Sequence, residues 1–108
     1  MHRRITIRRV HFTGVTGDRY FADPPTLHVR GGDGVRWRNR TNDIATIFFP
    51  FDDFFVKETS PFVLTIPARG ESQEFVVVPN PVVGRRVYSG SVGGKEIEGN
   101  SAPSIEVP

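Results

Sequence analysis

Short stretches in which apolar and polar residues alternate, each ended within a few positions by Gly or Pro, recur along this chain from one end to the other. A period of two marks a strand with one buried face, whereas a helix needs apolar residues every three or four positions. The cleanest stretch is Val35-Arg36-Trp37-Arg38-Asn39-Arg40, with Val35 and Trp37 on one face and an arginine ladder on the other. Ile5 and Ile7 alternate with Arg4, Thr6 and Arg8, and Leu27 and Val29 with His28 and Arg30. The first pattern slips by one at Arg9, after which Val10 and Phe12 continue it. A one-residue slip exchanges a strand's faces, so a bulge or bend is predicted near Arg9. Further strands are predicted over residues 44–49, 62–66, 73–78, 85–89 and 104–107.

Between them stand turn signals: Gly14 and Gly17, Asp23-Pro24-Pro25, Gly31-Gly32-Asp33-Gly34, Ala68-Arg69-Gly70-Glu71 and Pro79-Asn80-Pro81. Seven or eight short strands joined by such turns predict an all-β Greek-key sandwich. At 108 residues the chain makes one domain, spanning 1–108. The one long connection is 50–61, where Asp52 is placed to cap a single helical turn.

Composition removes several chemistries. There is no cysteine, which excludes disulfides, zinc–thiolate sites and a thiol nucleophile, and leaves the redox compartment unread. Net charge is +2, unevenly spread: residues 1–40 carry nine arginines against three acids, and the remainder five bases against nine acids. No apolar run approaches the length of a membrane span. The first nine residues are basic without the apolar core of a signal peptide, so the expectation is a cytoplasmic chain unless a leader has been removed.

The order and spacing of several motifs resemble the cupredoxin family, of plastocyanin and azurin type, over most of the chain. Phe21 and Pro24-Pro25 precede Leu27-His28-Val29. Gly32-Asp33-Gly34-Val35-Arg36-Trp37-Arg38-Asn39 then matches the family's Gly-Asp-x-Val-x-Trp-x-Asn. Pro67-Ala68-Arg69-Gly70-Glu71-Ser72 resembles its Pro-Gly-Glu-Ser turn, and Phe75-Val76-Val77 the strand that follows. Gly99 and Ser104-Ile105-Glu106-Val107 resemble its closing strand. The resemblance implies a β-sandwich and places the family's copper ligands on this chain. The first histidine position falls at Ala45, within Asn42-Asp43-Ile44-Ala45-Thr46-Ile47. In Gly84-Arg85-Arg86-Val87-Tyr88-Ser89-Gly90-Ser91-Val92-Gly93, Gly90 stands at the cysteine position, Gly93 at the second histidine, and Arg86 at the first aromatic. The only Met is Met1, so no axial Met is supplied. The implied metal ligands are therefore none, and no cofactor is expected.

Other chemistry finds no support in the residues. His2, His11 and His28 are expected on the surface. Ser89-Gly90-Ser91-Val92-Gly93 lacks the first glycine of a nucleophile elbow and the large α/β sheet an elbow needs. Ser89 and Glu96 break the phosphate-loop pattern that Lys95 suggests, leaving a flexible turn. Asp52-Asp53 and Glu96 with Glu98 are expected as surface acids. No catalytic residue is assigned, and the chain is expected not to be an enzyme.

The unusual feature is aromatic. Phe48, Phe49, Phe51, Phe54, Phe55 and Phe62 make six of the nine phenylalanines. Phe48 and Phe49 cannot both face one core. Two roles are open to the segment: filling the open end of the sandwich, where copper would sit in the family, or presenting an apolar patch to a partner. The candidate interaction patch is Phe48, Phe49, Phe51, Phe54, Phe55 and Tyr88, for an unknown protein or a small apolar ligand. The leading expectation is a copper-free, non-catalytic binding module. One alternative is nucleic-acid or other polyanion binding through Arg36, Arg38 and Arg40, extended by Arg4 and Arg8 if their strands are neighbours. Another is copper or electron transfer with atypical ligands.

Overall fold

The computed structural model describes residues 1–11, 18–56, 62–99 and 102–108, with His11 and Phe62 as backbone only. Phe12, Gly14 and Gly17 lie outside the described residues. Among the described residues eleven strands form two sheets. β1 (His2–His11), β2 (Asp18–Asp23), β4 (Gly34–Asn39), β5 (Ala45–Phe49), β6 (Phe62–Ile66), β7 (Phe75–Val76), β9 (Ser89–Val92) and β10 (Lys95–Glu98) build the larger one, in the order β6-β5-β9-β10-β2-β1-β4-β7. β3 (Thr26–His28), β8 (Gly84–Val87) and β11 (Ser104–Val107) build the smaller, in the order β3-β11-β8. Two stacked sheets bury one face of each, giving the all-β sandwich that the alternation predicts.

The arrangement follows from the residues. In β4, Val35, Trp37 and Asn39 are buried while Arg36 and Arg38 are half-exposed. In β1, Ile5 and Ile7 are fully buried while Arg4 and Arg8 are exposed. β1 and β4 run parallel, His2 opposite Gly34 through Ile7 opposite Asn39. β1 and β2 pair antiparallel from Thr6–Asp23 to His11–Asp18 without a break. The bulge expected at Arg9 is therefore absent. With the register unbroken, Arg9 emerges exposed on the face that Ile5 and Ile7 bury, and Val10 is only half-buried.

Three other expectations are corrected. The helical turn at Asp52 is not formed. Residues 54–56 instead take up extended pairing beside β7, with Phe55 bridged to Val77, Val56 N–H donating to the Val76 carbonyl (2.7 Å) and Val78 N–H to that of Phe54 (2.9 Å). Extended pairing satisfies the backbone while both phenylalanines are buried. The flexible turn at residues 89–95 is a β-hairpin, β9 to β10, closed by Gly93 (φ 56°) and Gly94 (φ 81°), the two positive φ values a type I′ turn requires. The strand count exceeds seven or eight because β2 and this hairpin carry little alternation; pairing with β1 and with each other makes them strands.

The larger sheet curls so that the end of β4 approaches that of β6. Buried Asn39 makes this junction: its Nδ2 donates to the carbonyls of Asp43 (2.8 Å), Ile66 (3.2 Å) and Pro67 (3.2 Å). Its Oδ1 accepts from the Thr41 N–H (3.0 Å) and hydroxyl (2.7 Å). At the other end of β4, buried Asp33 accepts from the amino terminus of Met1 (3.2 Å) and the Arg30 N–H (2.9 Å) and faces Arg3 (3.5 Å). Desolvation opposes ionisation of Asp33, but the Arg30 N–H, the terminal ammonium and Arg3 outweigh it and hold its carboxyl below the ordinary range.

Candidate functional site

The positions that the resemblance assigns to copper ligands come together on β5 and β9. Ala45 pairs with Val92, next to Gly93, and Ile47 pairs with Gly90. Ala45 is fully buried. A Cβ placed on Gly90 would lie 2.7 Å from the Thr46 carbonyl oxygen and 2.9 Å from the Cδ1 atoms of both Ile47 and Ile97. Aliphatic side chains already occupy the volume a thiolate would need. A Cβ on Gly93 would meet Asp43 Oδ2 at 2.8 Å, at a backbone φ that side chains rarely adopt. A blue-copper site takes two imidazoles and a thiolate. The residues here do not fit one: His28 is an exposed side chain bonded to Glu106 (2.8 Å), and His2 is bonded to Glu74 (2.6 Å). The His11 side chain lies outside the described residues. Among the described residues no group of three His, Cys, Asp or Glu is placed to hold a metal ion.

The phenylalanines lie toward the other end of β5, about 13 Å away at roughly 3.3 Å per residue. They do not fill the space at the ligand positions; Ile47 and Ile97 do. Phe49, Phe54, Phe55 and Tyr88 are buried, so four of the six residues of the expected patch are core and cannot dock a partner. Trp37 stands at the centre, edge-on to Phe49 (6.5 Å), Phe55 (6.4 Å), Phe75 (5.8 Å) and Tyr88 (5.6 Å). Phe51 is half-buried against Phe49 (5.2 Å). Phe48, on the opposite face of β5, is 39% exposed and pairs across the strands with Val63. Arg86, at the family's first aromatic position, is buried with its guanidinium 4.5 Å over the Phe54 ring, an aromatic contact made by a cation. The Trp37 indole N–H and Tyr88 hydroxyl are neighbours in this core without a well-formed bond. Burial raises the Tyr88 hydroxyl far above its ordinary pKa, with the indole N–H opposing.

Apolar surface remains elsewhere on that side. Val82 and Val83, before β8, are 69% and 71% exposed, and with Phe51, Asp53, Arg85 and Arg86 they line a shallow cleft of about 300 Å³. Neither valine stands out in the sequence, because two adjacent valines after Pro81 read as an ordinary strand entry.

The arginine ladder is where alternation places it. Parallel register sets Arg4 beside Arg36, and Arg8 follows toward Arg40, whose N–H donates to the Ile7 carbonyl (3.1 Å). Carboxylates interrupt the field: Arg4 meets Glu71 (3.2 Å) and Arg8 meets Asp23 (3.0 Å). Farther along, Arg19 pairs with Glu98, lowering the pKa of that carboxyl and raising that of the guanidinium. Glu98 is thus held in an ion pair, in an open concavity that it shares with Glu96, Asp18, Arg19 and Lys95. Arg40 and Arg69 share a second concavity with Arg8 and Arg9; in the sequence Arg69 reads only as part of a turn.

No family model matches the chain, and no curated protein does. Solved structures do. A multi-copper oxidase from Pediococcus acidilactici aligns at TM-score 0.66 and 9% identity, over 98% of this chain and 25% of its own. A multicopper oxidase from Campylobacter jejuni aligns at TM-score 0.60 and 16% identity, over 99% and 25%. A methionine-to-alanine mutant of amicyanin aligns more weakly, at TM-score 0.48 and 16% identity, over 82% and 73%. The chain spans a quarter of the length of the two oxidases. Identities this low speak to fold alone, and coverage of nearly the whole chain by both oxidases gives one answer: the protein has a cupredoxin-like fold.

Proposed function

We propose that this is a copper-free, non-catalytic cupredoxin-like domain that acts as a binding module for a protein or small apolar ligand. The observation that carries the reading is at Gly90, where the Thr46 carbonyl and the Ile47 and Ile97 side chains leave no room for the side chain a copper site needs. The apolar surface it would use is the cleft of Phe51, Val82 and Val83, in place of the buried phenylalanines. Titration with copper(II) and copper(I), followed by stoichiometry and visible spectrum, tests the reading. Expected are no stoichiometric uptake and no thiolate band. Tight one-to-one binding would overturn it and reopen copper transfer.

A second reading is polyanion binding along the sheet face of Arg4, Arg36, Arg38, Arg8 and Arg40. Its support is the parallel register of β1 and β4, which makes one surface of two arginine-bearing strands. Glu71 and Asp23 on the same face weaken it. Nucleic-acid affinity along this face would fall steeply with salt.

A further inference from the structure

Four arginines surround one concavity of about 410 Å³ at the rim near Ala45: Arg8 and Arg9 from β1, Arg40 from the loop after β4, and Arg69 from the β6–β7 turn. Val10, Thr41 and Asn42 complete the wall. Arg8 is paired with Asp23 (3.0 Å), and Arg9 reaches Asp18 (3.7 Å). Among the described residues Arg40 and Arg69 meet no carboxylate at ion-pair distance, so two guanidinium charges are left uncompensated.

Arg69 is held there against its backbone preference. The turn from Pro67 to Gly70, closed by the Gly70 N–H on the Pro67 carbonyl (2.9 Å), has Arg69 at its third position with φ 61°. That position favours Gly or Asn, and Arg69 is the one non-glycine residue with positive φ among those described. Strain of this kind persists only where the surroundings hold it, and it gathers at functional sites. Here the Arg69 N–H donates to the Thr41 carbonyl (3.1 Å) and its Nε to Asn42 Oδ1 (3.0 Å). The receiving loop is itself fixed, because Thr41 is bonded to buried Asn39 and to the Asp43 carbonyl. The guanidinium is therefore aimed along the loop before any ligand arrives. With its Oδ1 turned to Arg69, the Asn42 amide keeps its N–H donors for a ligand.

We infer that this concavity binds the phosphate monoester of a small molecule. A monoester carries about −1.5 to −2 charge at neutral pH, which matches two free guanidinium charges. Guanidinium forks suit phosphoryl oxygens in bidentate contact. The volume is that of a small-molecule pocket, about 300 Å³ or more, which leaves space for the rest of the ligand beyond its phosphate. Arg36 and Arg38 do not line it, so the site stands or falls apart from polyanion binding along the open sheet face.

Titration with phenyl phosphate, followed by amide chemical shifts, tests the assignment, with phenyl sulfate as a monoanion of similar shape. Expected is saturation at one site, shifts centred on residues 40–43 and 69–70, and weaker binding of the sulfate. Arg40→Gln and Arg69→Gly should each weaken phosphate binding about tenfold. Arg69→Gly also relieves the positive φ, so the fold survives and a loss of binding is not a loss of structure. Arg36→Gln and Arg19→Gln should change nothing. Failure to saturate, equal binding of phenyl sulfate, or equal effects of Arg36→Gln and Arg40→Gln would each overturn the site.

Discussion

The two ends of β5 are built in different ways. Around Phe49 the core is rings: Trp37, Phe51, Phe54, Phe55 and Tyr88 lie within 6.5 Å of its centroid. Around Ala45 it is a buried amide and hydroxyl, Asn39 and Thr41, bonded to the backbone of two loops, with two isoleucines packed at Gly90, one of the positions that the sequence resemblance assigns to ligands. The aromatic end buries large apolar area, which stabilises regardless of detailed direction. The polar end depends on geometry, since each of its buried bonds is costly to leave unmade. What the contrast teaches is where binding can be placed: the interior of the aromatic end is filled, which leaves only the outer cleft of Phe51, Val82 and Val83, and the polar end holds loops in fixed positions with charges at the rim.

The comparison is open to direct attack. Phe49→Ala removes the ring that touches most of the cluster and should cost about 4 kcal/mol in denaturant unfolding. A loss below about 1 kcal/mol would mean the aromatic end is loosely packed and collapses around the deletion. Asn39→Ala leaves the Asp43, Ile66 and Pro67 carbonyls and the Thr41 N–H without their partner, and should cost about 3 kcal/mol. Because the bonds that Asn39 makes are to backbone groups and one hydroxyl, its loss should be the same at acid and neutral pH.

Asp33 sharpens the comparison through pH. It lies on the aromatic side, its carbonyl accepting from the N–H of Val77, the residue bridged to Phe55. Its carboxyl pKa is lower folded than unfolded, so the stabilisation is present in full above the unfolded value near pH 4 and disappears as pH falls through the folded value. Asp33→Asn should therefore cost about 1.5 kcal/mol at neutral pH, and the difference from the parent should close as pH falls through the folded value. Thermal unfolding at several pH values reads this. A difference that stays constant would mean the bonds around Asp33 act through shape, as those of Asn39 do.

Legibility differs between the same regions. Alternation in 35–40 and 4–8 shows which residues of β1 and β4 face inward, because a period of two is local and survives any partner. The Gly-Asp turn and the Val-Trp-Asn spacing carry the fold. Gly93-Gly94 is equally local, yet with few apolar residues beside it the hairpin reads as a loop. The aromatic segment is ambiguous because six phenylalanines in so short a span satisfy both a core and a surface, and only enclosure separates the two. The rim site is illegible: the pair Arg8-Arg9, Arg40 and Arg69 are far apart in the chain, and nothing local says they share a wall.

What the sequence determined alone is therefore an all-β chain with one basic strand pair, no thiolate for copper and residues without ligand chemistry at the positions where the fold would place it. Those properties are local or compositional and need no partner to hold. The tertiary structure decided which aromatics are buried, that isoleucines rather than phenylalanines take the space beside Gly90, and that Arg69 stands beside Arg40. Each of these depends on the parallel pairing of β1 with β4 and on the curl that brings β4 to β6, and long-range pairings of that kind are set by the burial of the whole core at once rather than by any stretch of the chain.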